Sequence, residues 1–276
     1  MTTPLVPPML IDPPPPPGVN YGLLTVATGP MELPVHAAGG GLEWIPDSCG
    51  VVRLYQNVCD PTPQVKTFDP IDTKANATPY KIYSTIKCGT LGFSFDEFEG
   101  RVRRRLSSVE QAGIEAAFWG AEVGDNQGYL QSAAITVTDI GATTTPVQAI
   151  ARLEQQLATC YPSKVGVIHA RPIMAAYLSS NRLIYWRNDR CYTYRGNLVV
   201  FGDGYSGLDP AGVAPDATHE HIFATGRVLI WRSPDVFVPD PRQTLDRTLN
   251  QQNLLAERDV AVAVECCAAF TRVTLP

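Results

Sequence analysis

The run Gly202–Gly207, GDGYSG, has the glycine spacing of a dinucleotide-binding loop and follows the apolar residues LVVF. A dinucleotide site needs a helix directly after the glycines, because the N-terminus of that helix holds the pyrophosphate. The residues that follow, LDPAGVAPD, cannot start such a helix cleanly. Ser206 within the run lacks the GxSxG spacing of a serine nucleophile elbow. The pattern therefore predicts a turn-rich loop, with no cofactor and no catalytic serine.

Two histidines, His219 and His221, flank Glu220 and could place both imidazoles on one face of a strand. A metal would need at least one further ligand, and no cluster of carboxylates or thiols lies nearby in the sequence. His169 lies in the apolar run VIHA, which is typical of a hydrogen-bonded core histidine. Because no nucleophile, base and oxyanion set is clustered in the sequence, we expect no catalytic residue, no metal and no enzyme activity.

The cysteines are odd in number and irregular in spacing, and none form a CxxC pair. They are Cys49, Cys59, Cys88, Cys160, Cys191, Cys266 and Cys267. The N-terminal residues lack the basic start and apolar stretch of a secretory signal, and no apolar run approaches the roughly 18 residues that a membrane span needs. We therefore expect a chain made in a reducing cytoplasm, with its thiols buried as small hydrophobic groups and no membrane partner.

The strongest local charge cluster consists of four arginines, Arg101, Arg103, Arg104 and Arg105. Three glutamates could pair with them at helix spacing, namely Glu97, Glu99 and Glu110. The alternatives are a solvated face, a contact with a neighbouring subunit, or a contact with nucleic-acid phosphate. The net charge of -5 gives no general support for a nucleic-acid-binding protein, so we favour the subunit contact.

These arginines lie in the segment Ser94–Gly120, which is predicted to form one long amphipathic helix. Ser94 and Glu97 have the spacing of a capping box, and Gly120 supplies a stop. The apolar stripe is predicted to comprise Phe95, Phe98, Val102, Leu106, Val109, Gly113, Ala116 and Ala117. At 1.5 Å per residue the helix would be about 37 Å long, which is the width of a small domain.

The residues before this helix contain little that predicts a compact core. Residues 1–20 form a proline-rich arm, which is either a solvated tail or an arm laid along a neighbouring subunit. Candidate strands are Tyr21–Ala27, Val51–Gln56 and Tyr80–Lys87. The last two flank a long polar segment, which predicts a protruding hairpin that needs a partner surface, most plausibly on another copy.

The residues after the helix alternate strands and helices, which predicts an α+β fold. The candidate strands are Ala133–Asp139, Val165–Ala170, Cys191–Tyr194, Leu198–Phe201, His221–Ala224, Val228–Trp231 and Val236–Val238. One helix is expected to start at Thr145-Pro146 and another at Pro172. The segment Leu254–Leu275 is apolar on both faces, so we expect a mostly continuous buried strand that shares a core with the long helix.

The order of these parts resembles the major capsid protein of tailed bacteriophages, which has the Hong Kong 97-type fold. The segments that carry the resemblance are Val65–Pro70, Phe95–Trp119, Ala149–Ala158, Gly166–Pro172, Ala224–Ser233 and Leu255–Val273. They are similar to capsid proteins of phages that infect actinobacteria. The resemblance covers nearly the whole chain in order, and its strength lies in that arrangement because no single motif is diagnostic.

The resemblance implies four parts of the chain. Residues 1–50 would be the N-terminal arm and residues 51–90 the E-loop. Residues 91–159 and 251–276 would form the P domain, with its spine helix at about 95–119, and residues 160–250 would form the A domain. The sequence lacks the N-terminal scaffolding domain of about a hundred residues that some members carry, so any scaffolding protein would be separate.

The resemblance also implies a shell subunit that assembles into hexamers and pentamers around double-stranded DNA, without sequence-specific binding. Assembly in the bacterial host cytoplasm would yield a virion capsid, with scaffolding, portal and decoration proteins as further partners. The candidate inter-subunit contacts are Arg101, Arg103, Arg104, Arg105, Lys66, Phe68, Lys74, Tyr80 and Lys81. A lysine crosslink of the kind known in the family cannot be assigned to any of these lysines.

Two other functions remain open at this point. An encapsulin-like nanocompartment shell resembles the same fold but encloses enzymes. A soluble hydrolase would use His219, His221 or a cysteine. Neighbouring portal and terminase genes would favour the phage capsid, and turnover by a monomer would favour the hydrolase.

Overall fold

The computed structural model describes residues 21–46, 74–89, 94–120 and 137–275, together with residues 49, 50, 53, 66, 68 and 130. The proline-rich arm lies outside the described residues. So do most of the protruding loop, the candidate strand Val51–Gln56 except Arg53, and the first part of the candidate strand Ala133–Asp139.

The described chain is a mixture of helices and strands, as the sequence predicts. The helices are α1 (Leu23–Val26), α2 (Ala37–Gly40), α3 (Phe95–Trp119), α4 (Pro146–Cys160), α5 (Ile173–Ser180) and α6 (Pro241–Thr244). The strands are β1 (Thr28–Glu32), β2 (Leu42–Trp44), β3 (Ala75–Ala77), β4 (Tyr80–Gly89), β5 (Val137–Asp139), β6 (Val167–Ala170), β7 (Ile184–Arg187), β8 (Arg190–Thr193), β9 (Leu198–Phe201), β10 (His219–Thr225), β11 (Val228–Arg232), β12 (Leu245–Asp246), β13 (Gln251–Val264) and β14 (Ala268–Thr274). None of the described helices is long and apolar enough to cross a membrane.

The long helix α3 begins and ends where its sequence predicts. The Ser94 hydroxyl accepts the Glu97 N–H at 3.3 Å, and the Glu97 carboxylate accepts the Ser94 N–H at 2.7 Å, which completes the capping box. The buried stripe differs from the prediction in its second half. It runs through Phe98, Val102, Leu106, Glu110, Ile114 and Ala117, whereas Val109 is exposed. The prediction assigned Val109 to the stripe because Glu110 is charged, but Glu110 is the buried residue at this turn of the helix.

A five-stranded sheet lies beneath the first half of α3. Strands β1, β11, β13 and β12 are neighbours in that order, and β4 also pairs with β13. The antiparallel pairing of β4 with β13 extends from Tyr80 opposite Val260 to Gly89 opposite Gln251. The apolar side chains of α3 and β13 form a core, which confirms that the long helix and the chain end pack together: Phe98, Val102, Leu106, Leu254 and Ala256.

A seven-stranded sheet carries most of the remaining strands, in the order β5-β14-β10-β6-β9-β8-β7. Helix α4 packs against β14 and β10. It starts as predicted, because Pro146 occupies the first turn and the Thr145 hydroxyl accepts the Gln148 N–H at 3.2 Å. Its buried face comprises Ala149, Ile150, Leu153 and Leu157, which meet apolar residues from the sheet.

The segment Leu254–Leu275 is mostly strand, as expected, but it divides into two strands that belong to different sheets. Strand β13 belongs to the five-stranded sheet and β14 to the seven-stranded sheet. The chain turns between them at Cys266, whose φ of 73° lies in the left-handed region. Residues 260–265 before the corner and residues 268–271 after it are buried on both faces. The apolar pattern of the sequence therefore continues across the corner and does not reveal it. The expected boundaries at residues 160 and 251 therefore cut across the seven-stranded sheet, which includes β5 and β14.

Two shorter strand predictions are wrong. The segment Tyr21–Ala27 contains the short helix α1, whose Leu23 is fully buried. The segment Val236–Val238 forms only an isolated bridge between Phe237 and Glu257. Both segments are apolar, and tertiary contacts decide their backbone conformation.

The expectation of reduced, unpaired thiols is wrong for four of the seven cysteines. Cys49 is bonded to Cys266, and Cys160 is bonded to Cys267, with Cα–Cα distances of 5.1 and 6.2 Å. Cys266 and Cys267 are adjacent in the turn between β13 and β14, and each is bonded to a different distant partner. Cys191 is buried and unbonded, and burial raises the pKa of its thiol to about 12. The spacing of cysteines in the sequence does not reveal such long-range pairs.

Candidate assembly interface

The arginine-bearing side of α3 is partly bound to its own chain. The Arg103 guanidinium donates from Nε to the Glu99 carboxylate at 2.8 Å and from Nη1 to the Val236 carbonyl at 2.8 Å. Arg105 donates from Nη1 to the Thr85 carbonyl on β4 at 3.0 Å. These bonds fix the direction in which α3 crosses the strands below it.

Arg101 and Arg104 occupy the same helical surface. Arg104 is exposed and Arg101 is partly buried. Glu97 accepts hydrogen bonds from the backbone and hydroxyl of Ser94, and these bonds, together with the charge of Arg101, lower the pKa of its carboxyl. The predicted helical pairing is therefore confirmed for Glu99 with Arg103, whereas Glu97 mainly closes the helix cap.

Glu110 departs from the predicted pairing with the arginine cluster. Its carboxylate is buried and accepts hydrogen bonds from Arg258 at 2.8 and 3.0 Å and from Arg232 at 3.2 Å. These arginines belong to β13 and β11, so the ion pairs join the helix to the five-stranded sheet. The signal for this role was available in the sequence, because Glu110 lies four residues after Leu106 and four before Ile114 on the apolar stripe.

Glu115 is a second buried carboxylate that the sequence analysis missed. It accepts the N–H of Leu23 at 2.9 Å and the N–H of Gly204 at 3.0 Å. Burial raises the pKa of the carboxyl, and the backbone hydrogen bonds partly oppose that shift. Glu115 thereby ties α1 and the 202–207 loop to the long helix.

The lysines near the predicted protruding loop also have partners in their own chain. Lys81 lies 3.0 Å from Glu257 and 3.1 Å from Asp259, across the β4–β13 pair. Lys74 lies 2.7 Å from Glu43, in an ion pair that is exposed to solvent. Solvent screens the attraction in exposed ion pairs, so these lysines can exchange partners at little cost.

The remaining loop candidates differ in exposure. Tyr80 is buried in the core of its own subunit, which leaves its side chain little surface for another chain. Lys66 is exposed, and Phe68 is 91% exposed. Exposing a phenylalanine side chain to water is unfavourable, so among the described loop candidates Phe68 would gain the most from burial against a partner surface.

His219 and His221 lie on β10 and make separate structural contacts. The Nδ1 atom of His219 is 2.6 Å from Asp216, and this contact is the main reason that the pKa of the Asp216 carboxyl is lowered. Asp216 also accepts a hydrogen bond from Arg272 at 2.7 Å. His221 donates from Nδ1 to the Gly207 carbonyl at 2.8 Å, and burial lowers its pKa. Within the described residues, no three His, Cys, Asp or Glu side chains are placed to hold a metal ion.

His169 is the hydrogen-bonded core histidine that the sequence predicts. Its ring nitrogens lie 2.9 Å from the hydroxyls of Tyr205 and Thr225. The Thr225 hydroxyl donates to the Gly226 carbonyl, so His169 Nε2 donates to Thr225 and Nδ1 accepts from Tyr205. Complete burial lowers the pKa of His169 to about 3, which keeps the ring neutral.

The glycine run Gly202–Gly207 forms a turn-rich loop, and the described chain has no helix between β9 and β10. This confirms the turn-rich loop that the sequence predicts. Gly204 presses against α3, since a Cβ atom there would lie 2.0 Å from the Ala112 carbonyl oxygen. The glycines therefore permit close packing of the loop on the long helix.

Known structures share this architecture along nearly their full length. The capsid of an empty GTA particle aligns with 100% of this chain and 94% of its own, with a TM-score of 0.60 and 14% identity. A chain of Microbacterium phage Oxtober96 aligns with 99% of this chain and 97% of its own, with a TM-score of 0.55 and 14% identity. The chain has the fold of phage capsid proteins.

The capsid fold also occurs in a bacterial compartment. The holo-SrpI encapsulin complex of Synechococcus elongatus PCC 7942 aligns with 95% of this chain and 91% of its own, with a TM-score of 0.55 and 12% identity. No family model matches the sequence, and no curated protein matches it. At these low identities the similarity establishes the capsid fold and does not distinguish a phage capsid from an encapsulin.

Proposed function

We propose that this chain is the major capsid protein of a tailed bacteriophage. Copies would form hexamers and pentamers, close into an icosahedral shell and enclose double-stranded DNA without reading its sequence. The observation that carries this proposal is the end-to-end correspondence with the GTA capsid, which covers 100% of this chain and 94% of that one. A match of that extent leaves no substantial part of the chain for a separate catalytic domain.

We further propose the arrangement of parts that the family resemblance implies. Residues 1–50 act as an N-terminal arm and 51–90 as an E-loop, while 91–159 with 251–276 form the P domain and 160–250 form most of the A domain. The long helix α3 on the five-stranded sheet supports the assignment of a spine helix. Strand β14 is the exception within 251–276: it pairs with β10, and we therefore propose that residues 268–274 belong with the A domain.

The inter-subunit contacts are proposed to come from exposed members of the arginine and loop groups. Arg104 supplies a charge on the outer side of α3, and Lys66 and Phe68 supply charge and apolar surface near the loop. Many weak contacts repeated around a closed shell give high overall stability through multivalency. Tyr80 is the exception among the candidates, because its side chain is used inside its own subunit.

The direct test is electron microscopy of the full-length protein purified from bacteria, with and without added scaffolding candidates. We expect capsomers or closed shells. A chain that stays monomeric under every assembly condition contradicts the proposal.

The encapsulin-like shell is retained as the second candidate, because the SrpI complex has a similar TM-score. The contents of purified particles separate the two functions. A phage capsid made in the presence of its packaging machinery protects double-stranded DNA from nuclease, while an encapsulin holds a stoichiometric cargo protein. Portal and terminase genes beside the coding sequence would favour the phage capsid and a virion location after assembly in the host cytoplasm.

A further inference from the structure

The hairpin of β7 and β8 forms one edge of the seven-stranded sheet and carries a row of three tyrosines on one face. Tyr185 lies opposite Tyr192 in the strand register, with their ring centroids 5.6 Å apart and the ring planes 21° apart. The Tyr194 ring lies 5.7 Å from that of Tyr185, and Tyr194 is 71% exposed. A contiguous patch of exposed aromatic side chains is typical of a surface that binds another protein segment or a ligand. We name Tyr185, Tyr192 and Tyr194 the tyrosine row.

The tyrosine row continues into a pair of arginines. Arg187 lies opposite Arg190 in the same register, two residues beyond Tyr185 and before Tyr192. Side chains two residues apart on a strand share a face, so the two guanidinium groups extend the row toward the tip of the hairpin. All four arginine and tyrosine positions of β7 and β8 on this face are exposed or partly exposed.

The described chain begins against the same hairpin. The ring of Tyr21 lies 4.2 Å from that of Trp186, whose side chain is on the opposite face of β7. The Phe201 N–H donates to the Tyr21 carbonyl at 3.2 Å, which fixes this point to β9. Tyr21, to which the first 20 residues of the chain are attached, therefore lies beside the hairpin.

The composition of those residues matches the tyrosine row. They contain the run Pro13–Pro17, preceded by Asp12, which is the one acidic residue among the first twenty. Proline runs adopt the polyproline II helix, and grooves lined by parallel aromatic rings bind that helix at low entropic cost. Asp12 complements the positive charge of Arg187 and Arg190.

The proline run is also within reach. Polyproline II rises about 3.1 Å per residue, so Pro17 can lie about 12 Å from Tyr21 and Pro13 about 25 Å from it. The sheet ends at β7, and passing around this edge from one face to the other spans about 10 Å, the thickness of one packed layer. The segment can therefore pass around the edge and lie along the tyrosine row of its own subunit.

We propose that the tyrosine row is the docking surface for Pro13–Pro17 of the same chain, with Asp12 at the arginine pair. The inference goes beyond the capsid proposal, because it assigns an occupant to a surface within one subunit. Docking would hold the arm on its own subunit before assembly. During assembly, a surface of a neighbouring subunit could then compete for the arm and release it.

The test uses photo-crosslinking in the full-length chain, with benzoylphenylalanine introduced as Tyr194→benzoylphenylalanine. The matched control is Phe237→benzoylphenylalanine, an exposed aromatic position elsewhere on the surface. After irradiation of the dilute, unassembled protein, mass spectrometry should map crosslinks from position 194 to residues 12–17 in a product of monomer mass. The control should give no crosslink to those residues.

A second variant checks that the polyproline conformation matters. Pro14→Gly with Pro16→Gly keeps the length of the arm but removes its stiffness, and should lower the yield of the crosslink at least tenfold. A crosslink of dimer mass would overturn the assignment to the same chain and place the arm on a second copy. Crosslinks from position 194 only to nucleic acid or to other segments, or an undiminished yield in the glycine variant, would overturn the proposal. The outcome is independent of shell formation, since the readout is made on the unassembled subunit.

Discussion

Two buried carboxylates decide how the long helix α3 sits in the molecule. Glu110 joins it to the five-stranded sheet through Arg232 and Arg258, and Glu115 joins it to the backbone of Leu23 and Gly204. Both groups lie among apolar side chains, where an ion without partners is costly. The position of the helix therefore depends on polar contacts that a purely apolar stripe would not supply.

We predict that Glu110→Ala destabilises the subunit by about 3 to 5 kcal/mol, because it leaves Arg258 in a largely buried site without its carboxylate. Glu99→Ala on the same helix is the matched control and should cost less than about 1 kcal/mol, since Glu99 is far more exposed. Urea unfolding followed by circular dichroism measures both changes. Equal losses in the two variants would contradict a special role for Glu110.

His169 predicts a pH dependence of folding. Its pKa is about 3 in the folded protein and near 6.5 when unfolded, so the unfolded state binds the proton first as pH falls. The stability that the neutral ring provides is complete above pH 6.5 and is lost toward pH 3, at about 1.4 kcal/mol per pH unit. Lowering the pH from 7.5 to 5 should therefore reduce the free energy of unfolding of the wild type by about 2 kcal/mol more than that of His169→Gln.

Urea unfolding of both proteins at the two pH values measures this shift. The comparison with the variant removes the contribution of the other titrating groups. If the free energies of unfolding of the two proteins fall equally with pH, His169 does not control the acid sensitivity.

The residue types predicted part of this chemistry and missed the rest. The capping box of Ser94 and Glu97 and the core setting of His169 depend on near neighbours in the chain, and both are confirmed. The partners of Glu110 and Glu115 are between 89 and 148 residues away, and no local pattern encodes them. The only indication in the sequence was that a charged residue lies on the apolar stripe of the helix, which suggests a buried carboxylate with a partner.

At the scale of elements, the 202–207 loop and α3 are fitted to each other at Gly204. We predict that Gly204→Ala lowers stability by about 1 to 3 kcal/mol, because the new methyl group would meet the Ala112 carbonyl and push the loop away. Gly40→Ala is the matched control, since a Cβ atom there meets nothing within 4 Å. Thermal unfolding of both variants measures the difference, and a neutral Gly204→Ala would show that the loop can move without cost.

The outer side of α3 predicts an effect on assembly without an effect on folding. Arg104→Glu should raise the concentration at which capsomers or shells form by at least about tenfold, because a rim charge is reversed at each repeated contact. Arg152→Glu on α4 is the matched control, as an exposed helical arginine outside the proposed interface. Light scattering measures assembly, and circular dichroism verifies folding. Unchanged assembly by Arg104→Glu would remove this face from the interface.

Elements with strong local signals were predictable, and those that depend on distant contacts were not. Helices α3 and α4 carry caps and periodic apolar residues, and both start where predicted. The last strand instead divides at Cys266 between two sheets, because pairing with β11 and β10 decides its path. The short helix α1 replaces a predicted strand for the same reason.

At the scale of the whole molecule, the two disulfides predict a difference between intracellular and released protein. When the protein is expressed in a bacterial cytoplasm, which keeps thiols reduced, we expect the cysteines of newly made subunits to react with an alkylating agent. In particles exposed to air, Cys49, Cys160, Cys266 and Cys267 should be protected from it. Mass spectrometry after alkylation counts the reactive thiols, and equal reactivity before and after release would contradict this order of events.

The same bonds should raise the melting temperature. Closing loops of 217 and 107 residues contributes about 5 kcal/mol each in the chain-entropy description. Cys160→Ser should therefore lower the melting temperature by roughly 10 °C in oxidised protein and change it little in reduced protein. Differential scanning calorimetry with and without a reductant makes the comparison.

The corner at Cys266 and Cys267 also decides how the molecule responds to force. One cysteine closes a covalent ring through Cys49 and its neighbour closes another through Cys160, and the two rings meet at a single peptide bond. In the proposed shell, outward pressure from packed contents would stretch the wall and pull on each subunit. Any pull that draws the first strands or α4 away from this corner is carried by covalent bonds, so the subunit can deform around the corner but cannot be unravelled past it.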